Sequence, residues 1–445
     1  MAEIIIAGAG HGGLVAAERL AAAGHSVTVF EKNTKENCGL SQTDFFDASA
    51  MEIAGIEVPE KWHAPNNQLT FVPLEDDAPS LTLPRSKNGA TLAVDRRELF
   101  HFLAGRAEAA GVKFCCGVGI QSPIVLGSRV AGIKTDEGDY YGDLIIDACG
   151  VHSPLRSALP DFMHIEKSPA QYDCLHTFRA CYAKNPSAPD PEDYYKLFLD
   201  SDGTVGFSWV ITNADCVDVL IVRFPPITVA DVEAELAKLR GWNPHIGTTL
   251  VSGGSFTDIP VRQPLAVLVA DGYAAVGDSA FMTYAVKGSG IAFAVRAGVM
   301  LANAVAADSD CLFTADTLWE YQKAFFKEIG FDACRVAILK NLLPYLTAKE
   351  LSDLFKKGFI TSEELEKISS DGRDSLINSG FISLLREKIK LLGGAPEFTS
   401  KIVNIIVWLG KFAVTEPMFP NKYDREDVAR WAARYTEVFE SFRKK

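Results

Sequence analysis

The sequence predicts an α/β protein: a three-layer unit built on a parallel sheet, an antiparallel sheet inserted into it, and a helical C-terminal region. Three stretches carry that prediction. Residues 3–31 read Glu-Ile-Ile-Ile-Ala-Gly8-Ala-Gly10-His-Gly-Gly13, with Ala17, Gly24 and Val-Thr-Val-Phe-Glu31 behind. Residues 144–156 run from an apolar strand into a turn of small residues, Asp147-Ala-Cys149-Gly150-Val-His152-Ser153-Pro-Leu-Arg156. Residues 273–290 hold a strand ending in Gly277-Asp278, followed by Lys287-Gly288-Ser-Gly290 at the head of an apolar helix.

The first stretch spells strand, glycine turn, helix, strand and acid, the order of a Rossmann-type dinucleotide-binding unit. Gly8 permits the tight turn, Gly10 admits a pyrophosphate to the backbone, and Gly13 with Ala17 keeps the helix close to the sheet. The open N–H groups and positive dipole end of that helix favour an anion. Glu31 closes the second strand near the usual distance of about 20 residues, where its carboxylate accepts bonds from ribose hydroxyls, with Lys32 beside it.

Beyond Lys32 the chain turns polar, then gives two short alternating runs, 68–73 and 80–84, expected as strands away from the nucleotide. Asp95-Arg96-Arg97-Glu98 opens a helix to about Ala110, ended by Gly111, and strands follow near 112–116, 128–134 and 140–148. From Tyr172 to Phe224 the pattern alternates over 174–181, 194–199, 204–211 and 217–224, as an antiparallel substrate-side sheet does. A helix is expected over 229–239 and another from Gly288 to about Val305. Residues 314–445 read as mainly helical, with capping-box spacings at Thr317/Glu320, Thr347/Glu350 and Thr361/Glu364. The expected division is a discontinuous cofactor domain (1–60, 90–165, 262–310), a substrate domain (61–89, 166–261) and a helical region (311–445).

A 445-residue chain with 48% apolar and 23% charged residues is an ordinary globular composition. The net charge of −13 works against nucleic acid and against bulk attraction to an anionic membrane. Nine cysteines without C-x-x-C spacing signal neither a disulfide framework nor a zinc or iron–sulfur site, and a reducing cytoplasm suits them. Ile4 to Ala17 is apolar but lacks a basic flank and is used by the glycine turn, so no leader cleavage is expected. His11, His152 and His176 have no ligand spacing, and no metal role is assigned; His11 is expected to contribute only backbone.

The three stretches, in this order, resemble the flavoprotein family that includes p-hydroxybenzoate hydroxylase, the FixC-like dehydrogenases and the geranylgeranyl reductases. The resemblance implies FAD, with residues 147–156 behind the pyrophosphate and Gly277-Asp278 on a flavin ribitol or phosphate oxygen. It also implies Arg96 as a cofactor contact and the Gly288–Gly290 helix start facing the flavin. Within that family, Phe207-Ser-Trp209-Val-Ile211-Thr resembles the tryptophan strand of the geranylgeranyl reductases. Cys38-Gly39-Leu40-Ser41 resembles their cysteine loop, and Trp319-Glu-Tyr321 with the 346–351 helix start is similar to their tail. Ala285 and Thr212 depart from prolines common in relatives, and Cys149 from an aspartate.

The implied activity is FAD-dependent reduction of carbon–carbon double bonds in a prenyl-like substrate, with hydride from flavin N5. Cys38 is the candidate proton donor or substrate-positioning group, and Trp209, Phe207 and Tyr284 are the candidate walls of an apolar cavity. Each has a plain alternative: a free cysteine is commonly a small buried hydrophobe, and alternating strands bury aromatics without a ligand. Lys287 is either charge support for the flavin or a solvated loop residue. No second glycine fingerprint is present, so NAD(P)H, a ferredoxin or a flavodoxin is expected to bind only transiently. Alternatives are a monooxygenase or halogenase acting on an aromatic substrate, or a non-enzymatic prenyl-lipid carrier like the Rab GDP-dissociation inhibitors. The apolar run 402–414, broken by Asn404 and Gly410-Lys411, falls short of the roughly 20 residues a membrane span needs. With residues 381–392 it suits peripheral membrane contact or a lipid tunnel, and ordinary helix packing accounts for it as well.

Overall fold

A strand of three isoleucines that is apolar on both faces belongs at the centre of a sheet covered on both sides. Glu3–Ala7 takes that place in the computed structural model, which describes residues 1–445 except 41, 65–67, 73–78, 85–90, 171, 189–194, 200–205, 214–215, 343–345, 365–386, 389, 391–395 and 444–445. The six-stranded sheet runs Val269–Ala270, Tyr273–Ala275, Leu144–Asp147, Glu3–Ala7, Ser26–Glu31, Lys113–Cys116. It is parallel except for its first strand. Ile4 pairs with Leu144 on one side and Val27 on the other, and Ile6 and Leu144 are wholly buried.

The helix His11–Ala22 lies on this sheet and crosses the helix Ile291–Ala307. Two glycines let the backbones meet. A Cβ on Gly12 would stand 2.6 Å from the Ala294 carbonyl oxygen, and one on Gly298 only 2.4 Å from that of Gly12. Gly13 is equally constrained, because a Cβ there would lie 2.7 Å from Ala148 Cβ and 2.9 Å from Ile6 Cγ2. The helix of 291–307 starts later than the sequence suggested. Gly288 has φ +68°, and Tyr284 bridges Ser289, so this segment is a turn and Gly290 is the N-cap.

A three-stranded antiparallel sheet, Ile120–Leu126, Arg129–Thr135 and Asp139–Tyr141, covers one end. The stretch expected as one strand over 140–148 is two. Gly142 donates to Ala131 in this sheet and Asp143 donates to Glu3 in the other, so the chain changes sheets between them.

The third sheet has seven strands in the order Ile246–Pro260, Cys174–Lys184, Cys216–Arg223, Gly206–Thr212, Tyr195–Leu199, Gln68–Val72, Leu81–Pro84. Only the 68–72 and 195–199 pair is parallel. One face, with Phe178, Ala180, Tyr182, Val219 and Ile221, packs against Val232, Leu236 and Leu239 of the helix Val229–Trp242. The opposite face, with Arg179, Trp209 and Asp218, turns toward the two-stranded ribbon Thr43–Asp47 and Thr91–Asp95. The 15-residue edge strand 246–260 was not anticipated, since its mixture of Gly, Ser and Thr shows no alternation.

Helices Ala315–Phe325 and Phe331–Lys340 are joined by a π-helical turn, Phe326–Gly330. Trp431 and Tyr435, on the last helix Arg425–Arg443, donate to the carbonyls of Ala266 (3.0 Å) and Pro264 (2.8 Å), which docks the C-terminal helices on the rest. The cap of 315–325 is Thr314, which accepts from Thr317 N, rather than Thr317 itself. Reciprocal capping bonds occur at Thr347/Glu350 and Thr361/Glu364. The run 402–414 lies within the single helix Pro396–Thr415, and most of the stretch 381–392 falls outside the described residues. Among the described residues no helix is long and apolar enough to cross a membrane.

Candidate functional site

The glycine turn leaves its strand with Gly8 at φ +88°, a conformation that costs an L side chain and not glycine. A Cβ there would also stand 2.5 Å from the Ala148 oxygen. Glu31 reaches back over the turn. Its Oε2 accepts from Ala9 N (3.1 Å), and Oε1 accepts from Asn33 N and Nδ2 (both 2.9 Å). Lys32 is exposed, and its charge bears on Cys149 across the turn.

Asp147 anchors the segment opposite. It is buried and accepts from the Tyr273 hydroxyl (2.8 Å), Cys149 N (3.0 Å) and the Ser153 hydroxyl. Arg156 is spent on the fold, donating to the Lys167, Ser279 and Val151 carbonyls with its guanidinium over the Phe281 ring. Gly150 N donates to Ser279 Oγ at 2.8 Å, which ties this loop to the Gly277–Ala280 turn.

Asp278 follows in that turn. Burial pushes its carboxyl up, while the Arg96 charge and the Thr283 hydroxyl, which donates at 3.1 Å, pull it down. A Cβ on Gly290 would come within 3.1 Å of the same carboxylate. The Arg96 charge thus bears on Asp278 and on His11, and Glu31 bonds Ala9 in the same glycine turn as His11. Gly10, His11, Arg96, Gly150, Asp278 and Gly290 all keep partial exposure in otherwise buried surroundings, as the lining of a trough does.

Two helices begin at this trough, capped by Gly10 and Gly290, and neither has a side-chain cap or an acid in its first turn. Elsewhere Asp95, Ser153, Thr228, Thr314 and Thr347 cap their helices, and the helix starts after Ala48 and Gly330, which lack a side-chain cap, carry an acid in the first turn. Leaving two starts open toward a trough that also holds Arg96 suits a pyrophosphate-bearing ligand. The residues present fit a dinucleotide: Gly10 and its helix start for the phosphates, Glu31 for the ribose, Asp278 and Gly290 for the far end.

Arg96 heads the helix Arg96–Ala109 and forms an ion pair with Asp44. Asp44 also binds Arg179 Nη1 (3.0 Å), and Arg179 binds Asp218 with Nε (3.0 Å) and Nη2 (2.5 Å). The result is an alternating chain, Arg96–Asp44–Arg179–Asp218, running from the cofactor side into the third sheet. The Arg179 guanidinium lies 5.0 Å from the Trp209 ring centroid, and Phe45 meets Trp209 edge-on at 6.5 Å. Burial first, and then the Arg96 charge, lower His11 to about 4, so its ring is neutral at pH 7.

Phe207 and Trp209 are half-buried on the sheet face that carries Arg179, whereas Tyr284 is buried edge-on against Phe293. Lys287 is exposed, its ammonium 5.8 Å from the Tyr284 ring centroid. The Cys38 thiol turns into its own loop and donates to the Thr34 carbonyl (3.3 Å); burial and Glu31 hold it protonated, pushed up to about 12. Gly39 presses on the head of the 96–109 helix, where a Cβ would sit 2.7 Å from Arg97 Cα.

Asp44, Arg179 and Asp218 were missed from sequence, and His11 was credited with backbone alone. A signal existed. Arg179 in Cys-Leu-His-Thr-Phe-Arg-Ala-Cys and Asp218 in Cys-Val-Asp-Val-Leu are charges at inward positions of apolar strands, which are almost never left unpaired. Asp44 carries no such mark.

The sequence model of an NAD(P)-binding Rossmann-like domain matches residues 6–47. The digeranylgeranylglycerophospholipid reductase of Sulfolobus acidocaldarius is 25% identical over 243 residues, 53% of this chain, so the chain matches about half the length of that relative. The enzyme of the same name from Methanothrix thermoacetophila is 24% identical over 83% of this chain and 94% of its own. Among solved structures, a geranylgeranyl bacteriochlorophyll reductase-like protein of Thermoplasma acidophilum superposes with a TM-score of 0.72 at 18% identity, covering 91% of this chain and 99% of that one.

Proposed function

We propose that this geranylgeranyl-reductase-like chain is an FAD-dependent oxidoreductase that reduces carbon–carbon double bonds of a hydrophobic, prenyl-type substrate. One observation carries the reading: the Arg96 charge bears on both His11 in the glycine turn and Asp278, and Asp44 joins Arg96 to Arg179 on the Trp209 face of the third sheet. Bound and reduced FAD supplies a hydride at N5.

The chain's own residues do the rest. Glu31, Arg96 and Asp278 orient the nucleotide, and the open helix start at Gly290 favours negative charge on the flavin edge. Trp209 and Phe207 bury the hydrocarbon, worth about 0.8 kcal/mol per CH₂, and exclude water. Cys38, held protonated, is the proposed proton-bearing or positioning group; its bond to Thr34 must open for it to act. The electron donor is NAD(P)H, a ferredoxin or a flavodoxin, and contact with a membrane surface brings the lipid within reach.

The test is anaerobic. Chemically reduced protein mixed with a geranylgeranyl lipid should reoxidise its flavin and yield product heavier by two hydrogens per reduced bond. Substrate-stimulated oxygen uptake with a hydroxylated product would establish the monooxygenase class instead. A colourless protein that takes up no FAD would leave only a carrier.

A further inference from the structure

We infer that Asp44 is a positioning residue for cofactor binding, acting through Arg96. The inference rests on the reading of Arg96 as a cofactor contact and adds a residue that neither the sequence motifs nor the glycine turn contains. Asp44 stands on the ribbon strand 43–47, in register with Val94, two residues before Arg96. Its carboxylate takes one cation from each side: Arg96 from the cofactor trough and Arg179 from the third sheet. Arg179 cannot drift, because Asp218, the Thr43 carbonyl and the Trp209 ring hold it. Asp44 is thereby fixed from behind, and the flexible Arg96 side chain is fixed by Asp44.

The arrangement has an entropic reason. Arg96 is one-third exposed at the trough, and a long side chain in that position loses its rotamer freedom when it binds an anion. An anchor that has already ordered the guanidinium removes part of that cost from the binding step. The groups facing Asp44 are Arg96, Arg179 and the neutral His11. Both guanidinia together hold its carboxyl below the usual range against the opposing effect of burial, so it stays ionised through the neutral range.

The experiment is a double-mutant cycle on FAD affinity, with flavin fluorescence titrated against the flavin-free full chain. Asp44→Asn keeps the shape and removes the charge. Arg96→Gln removes the guanidinium. Asp44→Asn should raise the FAD Kd at least fivefold in the Arg96 background and less than twofold in the Arg96→Gln background. Equal losses in both backgrounds, or no loss in the first, would overturn the inference. Should Arg96→Gln bind FAD as tightly as the parent, the reading of Arg96 itself has failed, which is a distinct result. If Asp44→Asn does not fold, Asp44→Glu replaces it: an Arg96-dependent loss of two- to fivefold supports the assignment, and parental affinity refutes it.

Discussion

Replacing Gly298 with alanine should loosen the cofactor trough from a distance. The added Cβ would stand 2.4 Å from the Gly12 carbonyl oxygen, against ordinary contact at 3.4 Å or more, so the two helices must separate by roughly 1 Å (3.4 minus 2.4). Both helices start at the trough, so the shift reaches Gly10 and Gly290 together. Overpacking of this kind costs about 1–3 kcal/mol, which lowers the melting temperature of a 445-residue chain by about 1–3 °C. Alanine's better helix propensity returns at most about 1 kcal/mol. Gly105→Ala is the matched control. It lies in the interior of the 96–109 helix with nothing near its would-be Cβ, so it should gain roughly 0.5–1 kcal/mol. The assay is thermal unfolding of both variants with and without FAD, with Kd for FAD measured alongside. A Gly298→Ala protein that melts at or above the parent and binds FAD unchanged would refute the account of the crossing.

Three further outcomes are expected. His11 titrates near 4 in the fold and at about 6.5 when unfolded, a depressed value, so its contribution is full above 6.5 and is lost as pH falls toward 4. The loss is about 2 kcal/mol by pH 5, and His11→Asn should flatten that acid limb in melts taken from pH 7 to 5. Asp278, whose carboxyl burial pushes up, has the opposite sign: its stabilisation is present below the unfolded carboxylate range and lost as pH rises through its folded value. Asp278→Asn should therefore melt higher than the parent at pH 7 without cofactor while binding FAD more weakly, as paired melts and titrations would show. Cys38→Ala should lower turnover at least tenfold with FAD content unchanged; unaltered turnover removes the thiol from the reaction.

The strand–turn–helix–strand unit at the heart of the central sheet was legible because its determinants are local: apolar runs, a glycine turn and an acid at fixed spacing, all within residues 3–31. Elements that depend on partners far away were not. The strand 246–260 has solvent along one edge and mixed neighbours, so nothing forces its side chains to alternate. Thr314 rather than Thr317 caps its helix because Asp271, 44 residues back, accepts from Ala315 N and fixes where the helix begins. The same holds at the site. Glu31 and Asp278 stand in motifs, whereas Asp44 is paired with Arg179, 135 residues further on, and no spacing rule spans that gap.

The third sheet borrows its last two strands from residues 68–84, at least ninety positions upstream of the strand 174–184. Part of the nucleotide layer, the strands 113–116 and 144–147 with the helix 96–109, lies between them in the chain. Neither layer can be cut out with one break, so proteolysis at any single loop should leave fragments that stay associated. Assembly must also wait for distant segments to find each other, which makes slow, synthesis-order-sensitive maturation the expected behaviour in a cell.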